Sequence, residues 1–164
     1  MDAHYMKKGF SLVEVITILF IVSVGLLGIL SLIIQNIQSQ TYNKNNLVAY
    51  QLAQEGVELI RRVRDTNWEA GNLSYKTNLD DGSYYMDYLD NVPIPYGGSA
   101  ADLLLKFDGN GFYVHGAGTD SGFSRLITIA NIDDYSFSVN VSVTWREANR
   151  NAAYDLQAIL YDWR

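Results

Sequence analysis

The sequence feature that most constrains this chain is a run of 20 residues without a charge, from Val15 to Ile34. As an α-helix, which rises about 1.5 Å per residue, the run is about 30 Å long and matches the hydrocarbon core of a bilayer. A helix forms its backbone hydrogen bonds internally, so it is the stable form of such a segment in lipid. The run therefore predicts a membrane-spanning helix near the N-terminus.

The charges on either side of the run predict its orientation. Lys7 and Lys8 precede it, whereas the next charged residue after it is Lys44. Positive charge beside a membrane helix favours the cytoplasmic side, so we expect the N-terminus inside and the rest of the chain exported. A cleaved secretory signal needs a shorter apolar core and a small-x-small cleavage site, and the polar segment 35–46 offers no such site. A plain membrane anchor stays open.

Glu14 is the only charged residue between Phe10 and Ile34. A carboxylate one turn inside an apolar helix costs several kcal/mol unless it reaches water, is protonated or meets a cation. Two interpretations follow: either Glu14 lies close enough to the interface to stay hydrated, or another molecule supplies a positive partner.

The residues around the start of the helix resemble the processing and assembly signature of type IV prepilins and type II secretion pseudopilins. The matching segment is Lys7-Lys8-Gly9-Phe10-Ser11-Leu12-Val13-Glu14. The resemblance implies that a prepilin peptidase recognises Lys7 and Lys8 and cleaves on the cytoplasmic side, between Gly9 and Phe10. It also implies that the same enzyme methylates the new N-terminal residue, Phe10.

The same resemblance implies a role for Glu14 and a set of partners. Glu14 is expected to neutralise the N-terminal ammonium of a neighbouring subunit, because two charges among apolar helices are tolerable only as a pair. The implied partners are the prepilin peptidase, other pilin subunits, an inner-membrane assembly platform and membrane lipid. The precursor is expected in the cytoplasmic membrane with its head outside, and the processed protein in an extracellular or periplasmic filament.

Beyond Ile34 the chain is polar and then regains a helical period. An apolar stripe with helical spacing consists of Ala49, Leu52, Ala53, Gly56, Ile60 and Val63. On the polar side, Glu58 and Arg62 have the spacing of an i,i+4 ion pair. The cluster Arg61-Arg62-Val63-Arg64 is expected to be a solvated helix end. We predict one helix from about Phe10 to Arg64, about 80 Å long.

The rest of the chain predicts a small β-sheet head. The segment from Tyr135 to Trp145 alternates apolar and polar residues, which indicates a strand with one face on the helix. The residues predicted to face the helix are Phe137, Val139, Val141 and Val143. Further strands are predicted at 123–130 and 154–161, with turns at 131–134 and 146–153. Three consecutive antiparallel strands packed on one helix give an α+β fold.

Four segments follow from these patterns. They are a cleaved leader (1–9), a transmembrane or filament-core helix (10–35), its amphipathic continuation (36–65) and the globular head (71–164). Segment 77–102 is predicted to be a surface connection in which Pro93 and Pro95 confine any strand to a sheet edge. Its tyrosines are Tyr84, Tyr85, Tyr88 and Tyr96. Two uses are open for them, a contact patch or a cover over the apolar stripe of the helix, and we expect the second.

The composition argues against several functions. The chain has no cysteine, which excludes disulfides, thiolate zinc sites and cysteine nucleophiles, and its two histidines argue against a multi-histidine metal site. Eighteen acidic residues against 12 basic ones give a net charge of −6, which argues against nucleic acid as a partner. We identify no catalytic residue, metal site or cofactor. His115 is expected to be structural, and Asp108–Phe112 to form a β-turn rather than a calcium loop.

The predicted function is that of a type IV pilin-like subunit, and not of an enzyme. The last three strands are similar to those of minor pilins of the PilV type, which favours a minor subunit. Two alternatives stay open: a pseudopilin of type II secretion or competence, and a membrane-anchored binding domain that does not polymerise. An enzyme is the third alternative.

Overall fold

The computed structural model describes residue 9 and residues 11–71, 74–147 and 150–162. Within these residues there is one α-helix, α1, over Leu12–Ala70. The strands are β1 (Gly82–Tyr85), β2 (Ile94–Pro95), β3 (Leu104–Phe107), β4 (Tyr113–His115), β5 (Thr119–Asp133), β6 (Ser136–Glu147) and β7 (Arg150–Tyr161). A short 3₁₀ helix covers Ala100–Leu103. The chain separates into two units, Met1–Tyr42 and Asn43–Arg164.

In the first unit, the helix is long and apolar enough to cross a membrane by length and composition. All of its residues from Leu12 to Tyr42 are exposed, including the apolar ones. The backbone carbonyl of Ser11 accepts the first helical hydrogen bond, from the amide of Val15 (3.2 Å). Serine is a favoured residue at this N-cap position. The predicted apolar helix is therefore confirmed and is compatible with membrane anchoring.

In the second unit, the helix ends later than predicted, at Ala70 rather than near Arg64. Asn67 and Trp68 are buried. The side-chain amide of Asn67 donates through Nδ2 to the backbone carbonyls of Tyr75 (3.2 Å) and Thr77 (2.8 Å). These tertiary contacts hold the last turns in helical form although asparagine and aspartate are weak helix formers. Gly71, with φ of 71°, follows the helix in the left-handed conformation that commonly ends helices.

The described strands form one antiparallel sheet centred on β5. One edge of β5 pairs along its length with β6, which in turn pairs with β7. The other edge of β5 pairs with β3 near its start and with β1 near its end. Strand β4 continues the sheet beyond β3, and β2 continues it beyond β1. Pro95 therefore lies on an edge strand, as predicted.

The core of the head lies between the C-terminal part of α1 and the inner face of the sheet. Every residue of the predicted helical stripe is buried, from Ala49 to Val63. The four predicted inward residues of β6, Phe137, Val139, Val141 and Val143, are fully buried. The predicted α+β fold, with a helix packed on an antiparallel sheet, is confirmed.

The last three strands are longer than predicted, and their turns are shorter. Strand β5 continues to Asp133, whose carboxylate accepts hydrogen bonds from the Tyr135 amide (2.9 Å) and the Ser136 hydroxyl (2.8 Å). A short turn closed by this carboxylate replaces the wider predicted one at 131–134. Likewise, β6 reaches Glu147, which pairs with Arg150, so much of the turn predicted at 146–153 is strand.

Gly56 is expected to be required where α1 meets β6. A Cβ at this position lies 2.9 Å from Cγ1 and 3.1 Å from Cγ2 of Val141, a stiff β-branched side chain. We expect Gly56→Ala to lower the free energy of unfolding by about 1–2 kcal/mol, because overpacking outweighs the gain in helix propensity. The measurement is denaturant unfolding of the full chain in detergent micelles, followed by tryptophan fluorescence.

Gly28→Ala is the matched control for this prediction. Gly28 lies in the same helix, but a Cβ there has no heavy atom of the described residues within 4 Å. Its unfolding midpoint is expected to equal or slightly exceed that of the unmodified protein, because helix propensity rises without a clash. An unchanged midpoint for Gly56→Ala would show that the helix and the sheet do not pack as closely as these distances require.

Candidate functional sites

The first candidate site is the start of α1. Gly9 is exposed and lies before the helix, and Glu14 is exposed in the first helical turn. A carboxylate at this position interacts favourably with the positive end of the helix dipole. Lys7, Lys8 and Phe10 lie outside the described residues. Cleavage, methylation and leader recognition at these residues therefore stay predictions.

The surface that follows Glu14 is apolar on all sides of the helix. Large exposed side chains include Ile16, Phe20, Ile21, Leu26, Leu27, Leu30, Leu32 and Ile37. Successive residues on a helix differ by about 100°, so neighbours such as Leu26 and Leu27 point in different directions. Such a surface is stable only when lipid or other apolar helices cover it.

The arginine cluster of α1 is not the solvated helix end that the sequence suggested, because the helix continues to Ala70. Arg61 pairs with Glu58 (2.6 Å), so the predicted pair between Glu58 and Arg62 is wrong. Arg62 instead donates to the carbonyl oxygens of Tyr88 and Asp90, which tie the loop after β1 to the helix. These contacts were not predictable from spacing along the helix.

Arg64 is buried, with 8% of its surface exposed. Its guanidinium lies 4.4 Å from the centre of the Trp68 ring and bonds to the Asp65 carboxylate. This arrangement combines a cation–π contact with an ion pair. Arg62 and Arg64 therefore serve the anchoring and packing of the head, whereas Arg61 forms an exposed ion pair within the helix.

The second candidate site is a buried polar cluster in the head, centred on Arg125 of β5. Arg125 is fully buried. Its guanidinium donates to the carbonyl of Leu52 on α1 (3.2 Å) and to the carbonyl of Met86 after β1 (2.8 Å). It also pairs with Glu55 of α1 (3.2 Å). One side chain thus joins the helix, the sheet and the loop after β1.

Asp87 is next to this cluster and is also largely buried. Both of its carboxylate oxygens accept a hydrogen bond from the backbone amide of His115 (2.9 and 2.8 Å). Its own amide donates to the carboxylate of Asp90 (2.8 Å). Burial raises the pKa of Asp87 to about 6, against the opposing effects of the His115 amide and the positive charge of Arg125.

The His115 imidazole lies in the same region, with 5% of its side chain exposed. Its Nε2 is 3.8 Å from Oδ1 of Asp87, beyond hydrogen-bond distance. Burial lowers the pKa of His115 to about 4, and the positive charge of Arg125 acts in the same direction. Backbone hydrogen bonds with Asp102 and Leu104 oppose this shift, and the imidazole is neutral at pH 7.

His115 was predicted to be structural, and its side chain is buried against the Tyr85 ring and the backbone of Asp102 and Leu104. The roles of Asp87 and Arg125 were not predicted. A sequence signal for Arg125 was present in β5. Phe123, Arg125, Ile127 and Ile129 occupy every second position of the strand and so share one face, which places the Arg125 cation among the apolar inward residues. No comparable pattern marks Asp87, which lies in a loop.

The segment from Asp108 to Phe112 forms the predicted turn, between β3 and β4. The Asp108 carboxylate accepts hydrogen bonds from the amides of Asn110 (2.8 Å) and Phe112 (2.9 Å). These bonds, that to Phe112 above all, lower the pKa of Asp108. The carboxylate is thus used to hold the turn.

Comparisons of the chain with protein-family models, curated proteins and solved structures find no match. The fold and the exposed helix define an α+β protein with an apolar N-terminal segment compatible with membrane anchoring.

The opposite pKa shifts of Asp87 and His115 predict compensating effects of pH on stability. Between pH 4 and 6, the folded state retains the Asp87 proton longer than the unfolded state, so this group lowers stability as pH rises. Between pH 4 and 6.5, the unfolded state protonates His115 and the folded state does not, so this group raises stability with pH. Each effect amounts to about 3 kcal/mol, and they are expected to nearly cancel.

Single substitutions are expected to expose the two effects. The free energy of unfolding of Asp87→Asn is expected to rise from pH 4 to 6.5, whereas that of His115→Gln is expected to fall. The measurement is denaturant unfolding of the full chain in micelles at several pH values. Parallel pH profiles for both variants and the unmodified protein would contradict the assignment of these shifts.

Proposed function

We propose that this protein is a type IV pilin-like subunit, and more specifically a minor pilin. The observation that carries the proposal is the combination of a prepilin-like junction at Gly9 and Phe10, Glu14 in the first helical turn, and an apolar surface all round the following helix. A plain anchor accounts for the apolar surface but gives no reason for Glu14. A filament core accounts for both.

In this proposal the apolar helix has two successive environments. Lipid covers it in the precursor, and the helices of neighbouring subunits cover it in the filament. Cleavage after Gly9 creates an ammonium at Phe10, which is four residues before Glu14, the only carboxylate of the segment. The partners are a prepilin peptidase, other pilin subunits, an inner-membrane assembly platform and lipid.

A minor pilin is favoured over a major one by the terminal strands, which resemble those of PilV-type proteins, and by the absence of cysteine for a disulfide-closed C-terminal loop. The second candidate is a pseudopilin of a secretion or competence system, since Glu14 and the junction serve both classes. A non-polymerising anchored domain is the third. We expect no catalytic activity, because the sequence suggests no nucleophile with its base.

The test is the mass of the N-terminal peptide of the protein recovered from sheared surface filaments. The expected peptide begins at Phe10 and carries one methyl group on its amine. A matched sample of the membrane fraction reports the precursor. A protein that is abundant in membranes, still begins upstream of Phe10 and is absent from filaments would overturn the proposal in favour of an unprocessed anchor. A processed protein held in the periplasm would favour the pseudopilin.

A further inference from the structure

Strand β7, at one edge of the sheet, is long, regular and open along one side. Its twelve residues pair with β6 without a shift in register, and within the described residues β6 is its one neighbour in the sheet. Natural edge strands are usually protected by a proline, a lysine, a bulge or a very short length. β7 has none of these, whereas the opposite edges, β2 and β4, are two and three residues long. β7 is therefore a template for a further strand.

The inner face of β7 is also less covered than that of β6. Helix α1 lies over β6, where a Cβ at Gly56 would be 2.9 Å from Val141. Val141 and its inward neighbours on β6 are fully buried, but the inward residues of β7 at positions 152, 154, 156 and 158 are half-buried. A groove of about 330 Å³ lies between α1 and β7, with Leu156 and Ala158 in its lining. A strand added to β7 would thus bury apolar surface as well as backbone groups.

The sequence of β7 is complementary to itself in one antiparallel register. In this register Leu156 of one copy lies opposite Leu156 of the other. Side chains that oppose each other across an antiparallel pair share one face of the sheet and are in contact. Here each large apolar residue next to Leu156 meets a small one. The opposed pairs are Ala152–Leu160, Ala153–Ile159 and Tyr154–Ala158.

The charges of β7 favour the same register. It places Arg150 of one copy opposite Asp162 of the other, and Asp155 opposite Gln157. Opposite charges across a strand pair stabilise it, and like charges destabilise it. A shift of two residues places Asp155 opposite its own copy in one direction and opposite Ile159 in the other. A shift of one residue is excluded, because it opposes inward and outward side chains.

We propose that the edge of β7 is an interface between two copies of this chain, which pair antiparallel about a two-fold axis at Leu156. Residues 151–161 of both copies form about ten backbone hydrogen bonds, as many as a typical protein interface contains. Both inner faces lie on the same side of the joined sheet, and each half-buried row of β7 extends the other. The groove beside Leu156 is covered from both sides.

The symmetry determines which heads can pair. A two-fold axis perpendicular to the sheet reverses the direction of α1 in the head from one copy to the other. The pair therefore joins heads that point in opposite directions, as on two separate filaments, and not neighbours within one filament. This inference goes beyond the proposed function, which concerns the contacts within a filament, and does not rest on it.

Single engineered cysteines test the pairing directly, because the chain contains no cysteine of its own. The full chain in detergent micelles is oxidised with diamide and separated on a non-reducing gel. Leu156→Cys is expected to become mainly a disulfide-linked dimer, since directly opposed residues have Cα atoms about 4.5–5.5 Å apart. Asp155→Cys is the matched control. It is more exposed, but its copy is displaced by two residues and lies about 8 Å away, so the dimer is expected to be lost.

A second pair of variants checks the register on the outer face. Ala153→Cys and Ile159→Cys are both exposed, and the proposed register places each opposite the other across the interface. An oxidised mixture of the two variants is expected to give the mixed dimer in preference to either homodimer, as measured by intact mass. This comparison leaves the inner face unchanged, so it holds even if Leu156→Cys folds poorly.

Three results would each overturn the proposal. They are equal dimer yields for Leu156→Cys and Asp155→Cys, a statistical mixture of dimers for the outer-face pair, and protein that stays monomeric under full oxidation. The last result is also the one expected if the strand of a different protein occupies this edge. The mass of the N-terminal peptide, which tests the proposed function, does not depend on β7, so the two proposals can fail separately.

Discussion

Replacement of Arg125 by alanine is expected to lower the free energy of unfolding of the head by about 3–4 kcal/mol. The side chain is fully buried and joins Leu52 of α1 to Met86 after β1 through two carbonyl hydrogen bonds. Alanine leaves a cavity among Val141 and Gly56 and removes the donors to both carbonyls. Denaturant unfolding of the full chain in micelles, followed by tryptophan fluorescence, measures the change.

Two further substitutions separate the effect of lost side-chain volume from the effects of the lost hydrogen bonds and ion pair. Arg125→Met fills most of the space and loses the donors, so a smaller loss, of about 1–3 kcal/mol, is expected. Glu55→Gln is the control for the ion pair. Because the Glu55 side chain is 37% exposed, solvent screens the pair, and a loss below about 1 kcal/mol is expected. If Arg125→Ala unfolds at the same denaturant midpoint as the Glu55→Gln control and the unmodified protein, the Arg125 side chain is not part of the core.

Much of the fold was predictable because its periodic signals are strong. The charge-free run predicts the start of α1, and the alternation around Val139 and Val141 identifies β6 and its inward face. The buried stripe of α1 from Ala49 to Val63 also follows from the sequence, since 3.6-residue spacing reports which side of a helix is covered.

The parts that were not predictable depend on contacts distant in sequence. The end of α1 is set by bonds from Asn67 to Tyr75 and Thr77, across a connection that carries no periodicity. The partners of Arg62 are carbonyls 26 and 28 residues away, which override the local i,i+4 preference. Tertiary geometry, rather than propensity, decides these features.

The polar cluster of the head shows the same division. Arg125 was recognisable as an unusual inward residue of β5, because strand alternation applies to any side chain. Asp87 and Asp102 were not recognisable as neighbours of His115, since one lies in a loop and the other in a short 3₁₀ helix.

The site at the start of α1 has the opposite character. Its signature is local, so the sequence indicates it, although Lys7, Lys8 and Phe10 lie outside the described residues.

Glu14→Ala is expected to abolish incorporation into filaments while leaving membrane insertion intact. In the proposed filament, the Phe10 ammonium of one subunit lies among apolar helices, where only a nearby carboxylate compensates for its lost hydration. Removing one partner of a buried pair costs about 3–5 kcal/mol, which corresponds to a loss of association of about 10²–10⁴-fold at each contact. The measurement is the ratio of protein in sheared filaments to protein in membranes.

Ser23→Ala is the matched control, because Ser23 lies in the same apolar segment and its hydroxyl donates to the Leu19 carbonyl of the same helix (2.7 Å). Its filament fraction is expected to equal that of the unmodified protein. A plain anchor instead predicts no filament fraction for either protein, and slightly better membrane insertion of Glu14→Ala, since a carboxylate is removed from an apolar helix. Filaments that contain Glu14→Ala at the normal level would show that assembly does not need the proposed ion pair, and hydration at the membrane interface would become the better account of Glu14.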